Sequence, residues 1–518
     1  MYRFLISGLV LVLGCAHSQP SPQNATKLCG KPSNFSDASR FLTSCAKDRV
    51  IKLTSELVRF PTVSATGPVH QNRAFIDMAK YLEQWSKAHG LEFKVYGAHD
   101  AWVISYGEGP EKLGFMMHSD IVPVNQSQWS TPAFETVIKE GRLYGRGTED
   151  DKGPIAAAMV ILETLSAFNI KTRGKIQIIM GTAEESNWDG MRRYAKTSTQ
   201  PEHLVSIDAS YPVVIAESGF VSWTLGIEKT SLARISSRAS ILELKGGNFL
   251  TQVPGEAWMI LKPGRNESYE ALKKRIQSVS NGVVSQFGAP FSATVSSTTT
   301  GILLTTFGKA VHSSTSEDGA NALWLLAAIA NELDLNENEE STMLTLIHNY
   351  LNEHYGEKLG LAYSHEIMGP LAVIPSLLRK EDNQLQLSIN MRRPAGKTKA
   401  EFQDSLNRAL KVIQDNLSTK VKQLSNPYIG DPALARTDGP LVDTLIDVYR
   451  KHTKDVQAQP VSIRGGTYAR LFDGSVSFGP SMPGKEYRGH APDEYIEIAT
   501  LHRMVHMLFE ATQRLAIE

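Results

Sequence analysis

Residues 153–185, GPIAAAMVILETLSAFNIKTRGKIQIIMGTAEE, place a long apolar helix directly before a continuous apolar strand that ends in two acids. A strand that is apolar at every position is typical of a sheet covered on both faces. Further strands are predicted upstream in GLEFKVYG (90–97), AWVISYG (101–107) and KLGFMMHSD (112–120), after amphipathic helices at 48–59 and 73–89. The predicted fold is therefore α/β, with a mixed central sheet flanked by helices.

The pattern changes in the middle of the chain, between residues 219 and 425. Predicted strands there alternate with helices, as in TLGIEKT (224–230), ILELKGG (241–247), GILLTTFG (301–308), ANALWLLAAIANELD (320–334) and LQLSINMRRP (385–394). We therefore predict an inserted α+β lid domain, residues 223–425. It separates the two parts of a hydrolase-like catalytic domain, residues 48–222 and 426–518.

Length and charge restrict the function classes. The 518 residues contain 54 Lys plus Arg and 54 Asp plus Glu, so the formal net charge is zero. A chain without a net basic field does not gather nucleic acid, and polynucleotide partners are therefore discounted. A chain of this length also predicts two or more domains.

The first residues are typical of an exported protein. Arg3 precedes an apolar run, residues 4–13, that is too short to span a bilayer as a permanent helix. The sequence Val12-Leu13-Gly14-Cys15 resembles the lipobox of bacterial lipoproteins. This resemblance implies removal of a signal peptide, residues 1–14, and a lipid anchor on Cys15 in a membrane facing the periplasm or the exterior. An ordinary signal peptide with a chance cysteine is the alternative.

The three cysteines, Cys15, Cys29 and Cys45, all lie near the N-terminus. Residues 15–47 are rich in Ser, Pro, Asn and Gln, and we predict that they form a tether. In an oxidising compartment Cys29 and Cys45 can pair as a local disulfide, and two free thiols are the alternative. Because the rest of the chain has no cysteine, a bound metal would need His, Asp and Glu ligands.

Acids and histidines follow several of the predicted strands. His118 and Asp120 are two positions apart, so both side chains lie on one side near the carboxyl end of a strand, where open α/β sheets bind ligands. Asp120 is placed to accept a hydrogen bond from a metal-binding His118. In isolation, surface pairs and solvated helix caps are the alternative readings. The other places are Glu149, Asp150 and Asp151 before the long helix, Glu184 and Glu185, Asp208, and His490.

These places, taken together, resemble the co-catalytic zinc metallopeptidase family that contains aminoacylases, glutamate carboxypeptidases, carnosinases and succinyl-diaminopimelate desuccinylases. The motifs that carry the resemblance are HSDIVP, GRGTEDDKG, EES, IDASYP, GKAVHSS, INMRRP and GGTYARLFDG. The later motifs are most similar to peptidase-V-type dipeptidases. One departure is GGNFLTQVPG, where Thr251 or Gln252 stands at or near the place of an asparagine in the peptidase-V pattern.

The resemblance implies two divalent metal ions. His118 and Asp208 would hold one ion, Glu185 and His490 the other, and Asp150 would bridge both. Zinc is favoured by these ligand types, while manganese or cobalt suits the same carboxylate-rich set. The resemblance also implies a cis peptide bond between Asp150 and Asp151.

The resemblance further assigns the catalytic groups. Glu184 would be the general base for a metal-bridging water, and His312, from the inserted region, would stabilise the oxyanion. Arg392 would clamp a free substrate carboxylate, assisted by backbone amides of Gly465, Gly466 and Thr467.

A carboxylate anchor close to the metals favours dipeptides or very short peptides as substrates. The function implied is therefore a metallo-dipeptidase. One alternative is hydrolysis of N-acyl amino acids, and another is a lipoprotein that binds peptides without catalysis. A lid that supplies its own His312 favours a monomer by analogy.

Overall fold

The computed structural model describes Pro32 and residues 36–228, 237–417 and 421–517. The first part of the chain forms, in order, α1 (Ala38–Val58), α2 (Arg73–Ala88), β1 (Glu92–Tyr96), β2 (Ala101–Tyr106), β3 (Glu111–His118), β4 (Val137–Lys139), β5 (Arg142–Tyr144), α3 (Lys152–Ala167), β6 (Lys175–Gly181), α4 (Asp189–Thr197), β7 (His203–Ser206), β8 (Ala209–Ser210) and β9 (Val214–Glu217).

The middle part forms a second set of elements. These are β10 (Gly219–Ile227), β11 (Ser240–Gly246), β12 (Glu256–Lys262), α5 (Tyr269–Phe287), β13 (Ser292–Ser297), β14 (Ile302–Phe307), α6 (Ala322–Glu332), α7 (Glu339–Tyr350), β15 (Ser364–His365), β16 (Gly369–Pro370), β17 (Ala372–Glu381), β18 (Gln384–Arg393), α8 (Lys399–Asn416), β19 (Val421–Gln423) and β20 (Tyr428–Ile429).

The last part returns to the first. It forms β21 (Ala433–Leu434), α9 (Pro440–Thr453), β22 (Val461–Ile463), β23 (Val476–Ser477), β24 (Pro480–Ser481), β25 (Tyr495–Glu497) and α10 (Ile498–Thr512), which ends in a π-helical turn, Gln513–Ile517.

The catalytic sheet has nine strands in the order β1-β2-β6-β3-β7-β23-β9-β21, with β22 paired to β9. Its centre is parallel, because β3 pairs in parallel with both β6 and β7, and β23 pairs in parallel with β7. At one side of the sheet, β2 is antiparallel to both of its neighbours, the edge strand β1 and β6. This mixed sheet, flanked by helices, confirms the predicted α/β class.

Both faces of the catalytic sheet are covered, which explains the continuous apolar strands. Along β3, Phe115 and Met117 pack into the larger core together with α1, α2, α3, α9 and α10. Met116, between them, packs on the opposite face with Tyr194 of α4 and with Tyr468. A strand buried in this way has no polar face to present.

The inserted region has its own sheet and its own core. Its nine strands follow the order β13-β14-β12-β11-β17-β18-β10-β19, with β20 paired to β10, and α5, α6, α7 and α8 contribute to a separate hydrophobic cluster. This sheet begins at Gly219 and ends at Ile429, so it extends past the predicted limits of residues 223 and 425. The reason is pairing: β10 pairs with β18 from Gly219 onward.

The predicted tether is too long at its C-terminal end. Helix α1 begins at Ala38, ten residues before the predicted helix start, with the Asp37 carboxylate accepting a hydrogen bond from the Arg40 amide at 2.9 Å. Phe41 and Leu42 are buried in the main core, so this segment folds as part of the catalytic domain. The prediction was wrong because the residues before this segment are polar, whereas the segment itself has an apolar helical face.

Cys45 lies within α1, where it is buried and disulfide-bonded. Cys15, Cys29 and the predicted signal peptide, residues 1–14, lie outside the described residues. Within the described ranges, no helix has the length and hydropathy needed to cross a membrane.

Candidate metal centre and substrate cleft

Three strand ends bring the predicted ligands to one edge of the catalytic sheet. His118 is the last residue of β3, Glu184 and Glu185 follow β6, and Asp208 follows β7. Since β3 is parallel to both neighbours, their carboxyl ends meet at the same edge. The position is the one at which open α/β sheets bind ligands.

Asp150 reaches the same place from the N-terminus of α3. The Asp150–Asp151 peptide bond is cis, as the family resemblance implies. The second residue of α3, Gly153, is required by packing, because a Cβ atom there would lie 2.1 Å from the carbonyl oxygen of Thr148. The helix N-terminus also favours the negative charges of this turn.

The first half of the centre consists of His118, Asp150 and Asp208. Nε2 of His118 lies 2.7 Å from Oδ1 of Asp150 and 3.7 Å from Oδ1 of Asp208. Each residue offers one ligand atom, and these atoms all lie within 4.8 Å of one another. His118 is fully buried, so its position is fixed by packing.

The second half shares Asp150 with the first. Nε2 of His490 lies 2.9 Å from Oε1 of Glu185 and 3.2 Å from Oδ2 of Asp150. One ligand atom from each of these three residues again lies within 4.8 Å of the others. The structure therefore brings together all five predicted ligands in two groups that meet at Asp150.

The charge of this cluster fits cations. Asp150, Glu185 and Asp208 place three carboxylates in a largely buried volume, and burial raises the pKa of Asp208 to about 7. Burial would lower the pKa of His490, but hydrogen bonds to Asp150 and Glu185 outweigh it and raise this pKa to about 11. Imidazole and carboxylate donors are ligands that zinc accepts, so the residues present fit a pair of divalent cations.

Asp120 supports the centre differently from its prediction. Nδ1 of His118 lies 3.0 Å from the backbone carbonyl oxygen of Asp120 and 3.4 Å from its carboxylate. The carboxylate itself accepts hydrogen bonds from the backbone amides of Glu184 at 3.0 Å and Glu185 at 3.1 Å, and from the Ser64 hydroxyl at 2.6 Å. The Asp120 carbonyl thus orients the imidazole, and its carboxylate holds the loop that carries the two glutamates.

Glu184 lies beside both halves of the cluster. Its carboxylate offers an oxygen within 4.8 Å of ligand atoms of His118 and Glu185. Burial raises the pKa of Glu184 well above its ordinary value, and the Asp208 carboxylate adds to this increase. A cation bound nearby would lower that pKa again, which leaves a carboxylate able to take up and release a proton.

A buried guanidinium lies in the cleft between the two sheets. Arg392 is only 5% exposed, and among the described residues no carboxylate lies within salt-bridge distance of it. Its Nη1 donates to the Arg464 carbonyl at 3.2 Å and its Nη2 donates to the Ser313 hydroxyl at 2.8 Å, while its Nε has no partner in the described part of the chain. Burial lowers the pKa of Arg392 to about 10, and Arg470 and Arg464 contribute.

His312 lies within electrostatic reach of both Arg392 and His490. Burial lowers its pKa to about 3, and the charges of Arg392 and His490 contribute, so the ring is neutral near pH 7. Its Nδ1 lies 3.3 Å from the Ser314 amide, which can only donate, and 2.6 Å from the Ser314 hydroxyl. Since Nδ1 accepts, the proton of the neutral ring is on Nε2, where it is available for donation.

The Gly465–Thr467 segment differs from its prediction at one residue. The Thr467 amide donates to the Glu217 carboxylate at 3.0 Å, and the Thr467 hydroxyl donates to it at 2.7 Å. This amide is therefore engaged inside the protein and is not free for a substrate. Within the described ranges, the Gly465 and Gly466 amides have no acceptor, and these two remain candidates for substrate contact.

The model of peptidase family M20/M25/M40 matches residues 114–514, which is most of the chain. This chain belongs to peptidase family M20/M25/M40. A Staphylococcus aureus protein (strain bovine RF122 / ET3-1) named "Putative dipeptidase" is 31% identical over 426 residues, which covers 81% of this chain and 86% of that relative. As an M20/M25/M40 peptidase the chain is a hydrolase of peptide bonds.

Solved structures show the same fold. Human carnosine dipeptidase 1 aligns with a TM-score of 0.54 at 13% identity, covering 93% of this chain and 99% of that one. The M20 family metallo-carboxypeptidase Sso-CP2 from Sulfolobus solfataricus aligns with a TM-score of 0.52 at 14% identity, covering 90% and 99%. At these identities the likeness concerns the architecture, a catalytic domain with an inserted lid domain.

Three residues at this M20/M25/M40 centre were missed by the sequence reasoning. Glu494, which is fully buried, accepts the amides of Glu149 at 2.9 Å and Asp150 at 3.1 Å. Tyr487 donates to Asp150 Oδ2 at 2.5 Å, and Glu217 holds Thr467. Tyr487 and Glu494 are close to His490 in the sequence. Glu217 is an acid at the end of an apolar strand, the pattern that identified Glu184 and Glu185, and this pattern could have identified Glu217 as well.

Proposed function

We propose that the protein is a metallo-dipeptidase that hydrolyses dipeptides or very short peptides with two divalent metal ions, preferably zinc. The observation that carries the substrate class is the buried Arg392 guanidinium, which has no acidic partner among the described residues. A buried cation without a counterion is costly, and a substrate carboxylate would relieve that cost. The relative named as a dipeptidase supports the same substrate class.

The geometry limits substrate length. The charges of Arg392 and His490 both act on His312, so the guanidinium and this metal-binding histidine each lie within electrostatic reach of one imidazole. A carboxylate held by Arg392 therefore keeps the adjacent peptide bond near His312 and the metal ligands. Two N–H groups of a guanidinium match the two oxygens of a carboxylate in a fork, which also fixes the substrate's orientation.

Five residues would hold the metal ions: His118, Asp150, Glu185, Asp208 and His490. Bound divalent cations would polarise the substrate carbonyl and lower the pKa of a water molecule. Glu184 accepts a proton from the attacking water and then delivers it to the leaving amine. The Nε2–H of His312 donates a hydrogen bond to the carbonyl oxygen as negative charge develops on it.

Two further proposals concern localisation and assembly. We propose that the protein is exported and held at a membrane by lipid on Cys15, on the strength of Val12-Leu13-Gly14-Cys15 alone. We also propose that it acts as a monomer, which is supported by the electrostatic proximity of His312 to His490 within one chain.

A substrate panel tests the proposed function. Zinc-loaded protein is assayed with a dipeptide, its C-terminal amide, a tripeptide and an N-acetyl amino acid, beside chelated protein and Glu184→Gln. We expect fast, chelator-sensitive cleavage of the dipeptide, weak cleavage of the amide, and a kcat about 10²- to 10⁴-fold lower in the variant. Preference for the acetyl substrate would replace the proposal with an acylase, and bound zinc without any turnover would replace it with a peptide-binding protein.

A further inference from the structure

Three of the chain's 14 histidines gather on two C-terminal helices outside the metal centre described above. His502 and His506 lie four residues apart on α10, so their side chains project from one face of the helix. Their Nε2 atoms are 3.1 Å apart, and their rings are 4.7 Å apart at an angle of 76°. The third histidine, His452 of α9, stacks on His506 at a ring distance of 6.5 Å.

The facing nitrogens suit a shared cation. Two imidazoles whose Nε2 atoms face each other direct their lone pairs to one region, as the two histidines of a metal-binding helix with i, i+4 spacing do. A neutral imidazole is the form that binds metals. Burial lowers the pKa of both rings, that of His506 to about 4, with the charges of His502 and His452 contributing to the latter.

The charged side chains near the pair either have other binding partners or have opposing effects on the pKa of His502. Lys47 of α1 lowers the pKa of His502, and Asp48 of the same helix raises it. Glu510 is one turn beyond His506, but its carboxylate is bound by Lys451 at 2.9 Å, by His452 at 2.8 Å and by Arg514. The pair therefore offers two nitrogen ligands and no free carboxylate from Glu510.

We propose that His502 and His506 form a separate site for one borderline transition-metal cation, of which Cu²⁺ is bound most tightly. Among divalent first-row metals, nitrogen ligands of this kind have their highest affinity for Cu²⁺, above that for Ni²⁺ and for Zn²⁺. The site lies on the face formed by α1, α9 and α10, and it contains none of the residues assigned to hydrolysis. Its occupancy is therefore independent of the proposed dipeptidase reaction.

Copper titration of the zinc-loaded protein tests the proposal. Cu²⁺ binding is measured by calorimetry, zinc and copper contents by mass spectrometry, and nitrogen ligation by electron paramagnetic resonance. We expect one copper ion per chain with both zinc ions retained, and a spectrum with two nitrogen ligands. His506→Gln should weaken this binding at least about tenfold, since it removes one of two ligands.

His348→Gln is the matched control, because His348 is also a half-buried helical histidine whose pKa is lowered by burial. It should bind copper like the unaltered protein. If His506→Gln fails to fold, His502→Gln with the same measurements takes its place. Copper binding that is unchanged in both His502→Gln and His506→Gln would overturn the proposal and leave a hydrogen-bonded histidine pair only.

Discussion

Replacing Arg392 with lysine tests how the cleft recognises substrate. A guanidinium has five N–H groups, of which Arg392 uses one for the Arg464 carbonyl and one for the Ser313 hydroxyl. Three remain, enough for a two-pronged contact with a carboxylate. Lysine keeps the positive charge but loses the fork.

The expected loss follows from that geometry. A hydrogen bond to a charged group contributes about 1.5 to 3 kcal/mol, so the loss of one prong should cost about 2 to 3 kcal/mol. This corresponds to a decrease of about 30- to 150-fold in kcat/KM for a dipeptide. The C-terminal amide of the same dipeptide has no carboxylate to lose, and its kcat/KM should fall by less than about fivefold.

The assay compares kcat/KM for the acid and the amide in the unaltered protein, Arg392→Lys and Arg393→Lys. Arg393 is the matched control, because it is equally buried on the same strand but is bound to Asp431 at 2.6 Å. Its replacement can lower stability, yet it should leave the ratio of acid to amide unchanged. Equal losses for acid and amide in Arg392→Lys would refute the assignment of Arg392 to the substrate carboxylate.

Three further results are expected. Glu184→Gln should lower kcat about 10²- to 10⁴-fold, because it removes proton transfer. The metal content measured by mass spectrometry should stay unchanged. An equally active variant would exclude Glu184 as the base. His312→Gln should lower kcat about 10²- to 10³-fold. The pH profile of kcat should stay unchanged between about pH 5 and 9, because a pKa of about 3 keeps His312 neutral throughout that range. Loss of an ionisation from that profile in the variant would contradict this expectation. Glu317→Gln removes the ion pair in which Arg464 Nη1 lies 2.7 Å from Glu317 across the cleft. In steady-state assays the variant should have a KM up to about fivefold higher at constant kcat. An unchanged KM would show that this partly exposed pair does not assist substrate binding.

The metal ligands were predictable because strand order and chemistry point the same way. His118, Glu185 and Asp208 each follow an apolar strand, and parallel strands place such residues at one edge. Asp150 precedes a long apolar helix, which is also a pattern visible in sequence. The residues that hold these ligands were harder to find, because their partners are distant in sequence. Glu494, for example, accepts the Asp150 amide across 344 positions.

Two predictions were wrong, each for a physical reason that the local sequence does not show. Thr467 was expected to offer its amide to a substrate, but the buried Glu217 carboxylate already accepts that hydrogen bond. No local pattern around GGTYAR shows that an acid 250 residues earlier packs against it. The tether error has a different origin, since the polar composition of this segment concealed a buried helical face that contains Phe41, Leu42 and Cys45.

The two sheets contribute different groups to the site. The catalytic sheet fixes the metal ligands, whereas the inserted sheet supplies Arg392 from β18 and His312 from the loop after β14. Arg464 of the catalytic part contacts the inserted part twice, because its carbonyl accepts a hydrogen bond from Arg392 and its guanidinium binds Glu317. Substrate recognition and chemistry thus depend on the contact between the two parts of the chain.

Dipeptide cleavage should require the metal ions held by His118, Asp150, Glu185, Asp208 and His490. The most direct measurement is a titration of chelator-stripped protein with Zn²⁺ while the release of free amino acids is followed. We predict no cleavage without metal and a plateau in rate at two zinc ions per chain. Full activity of the stripped protein, or no activity at any zinc content, would contradict the account.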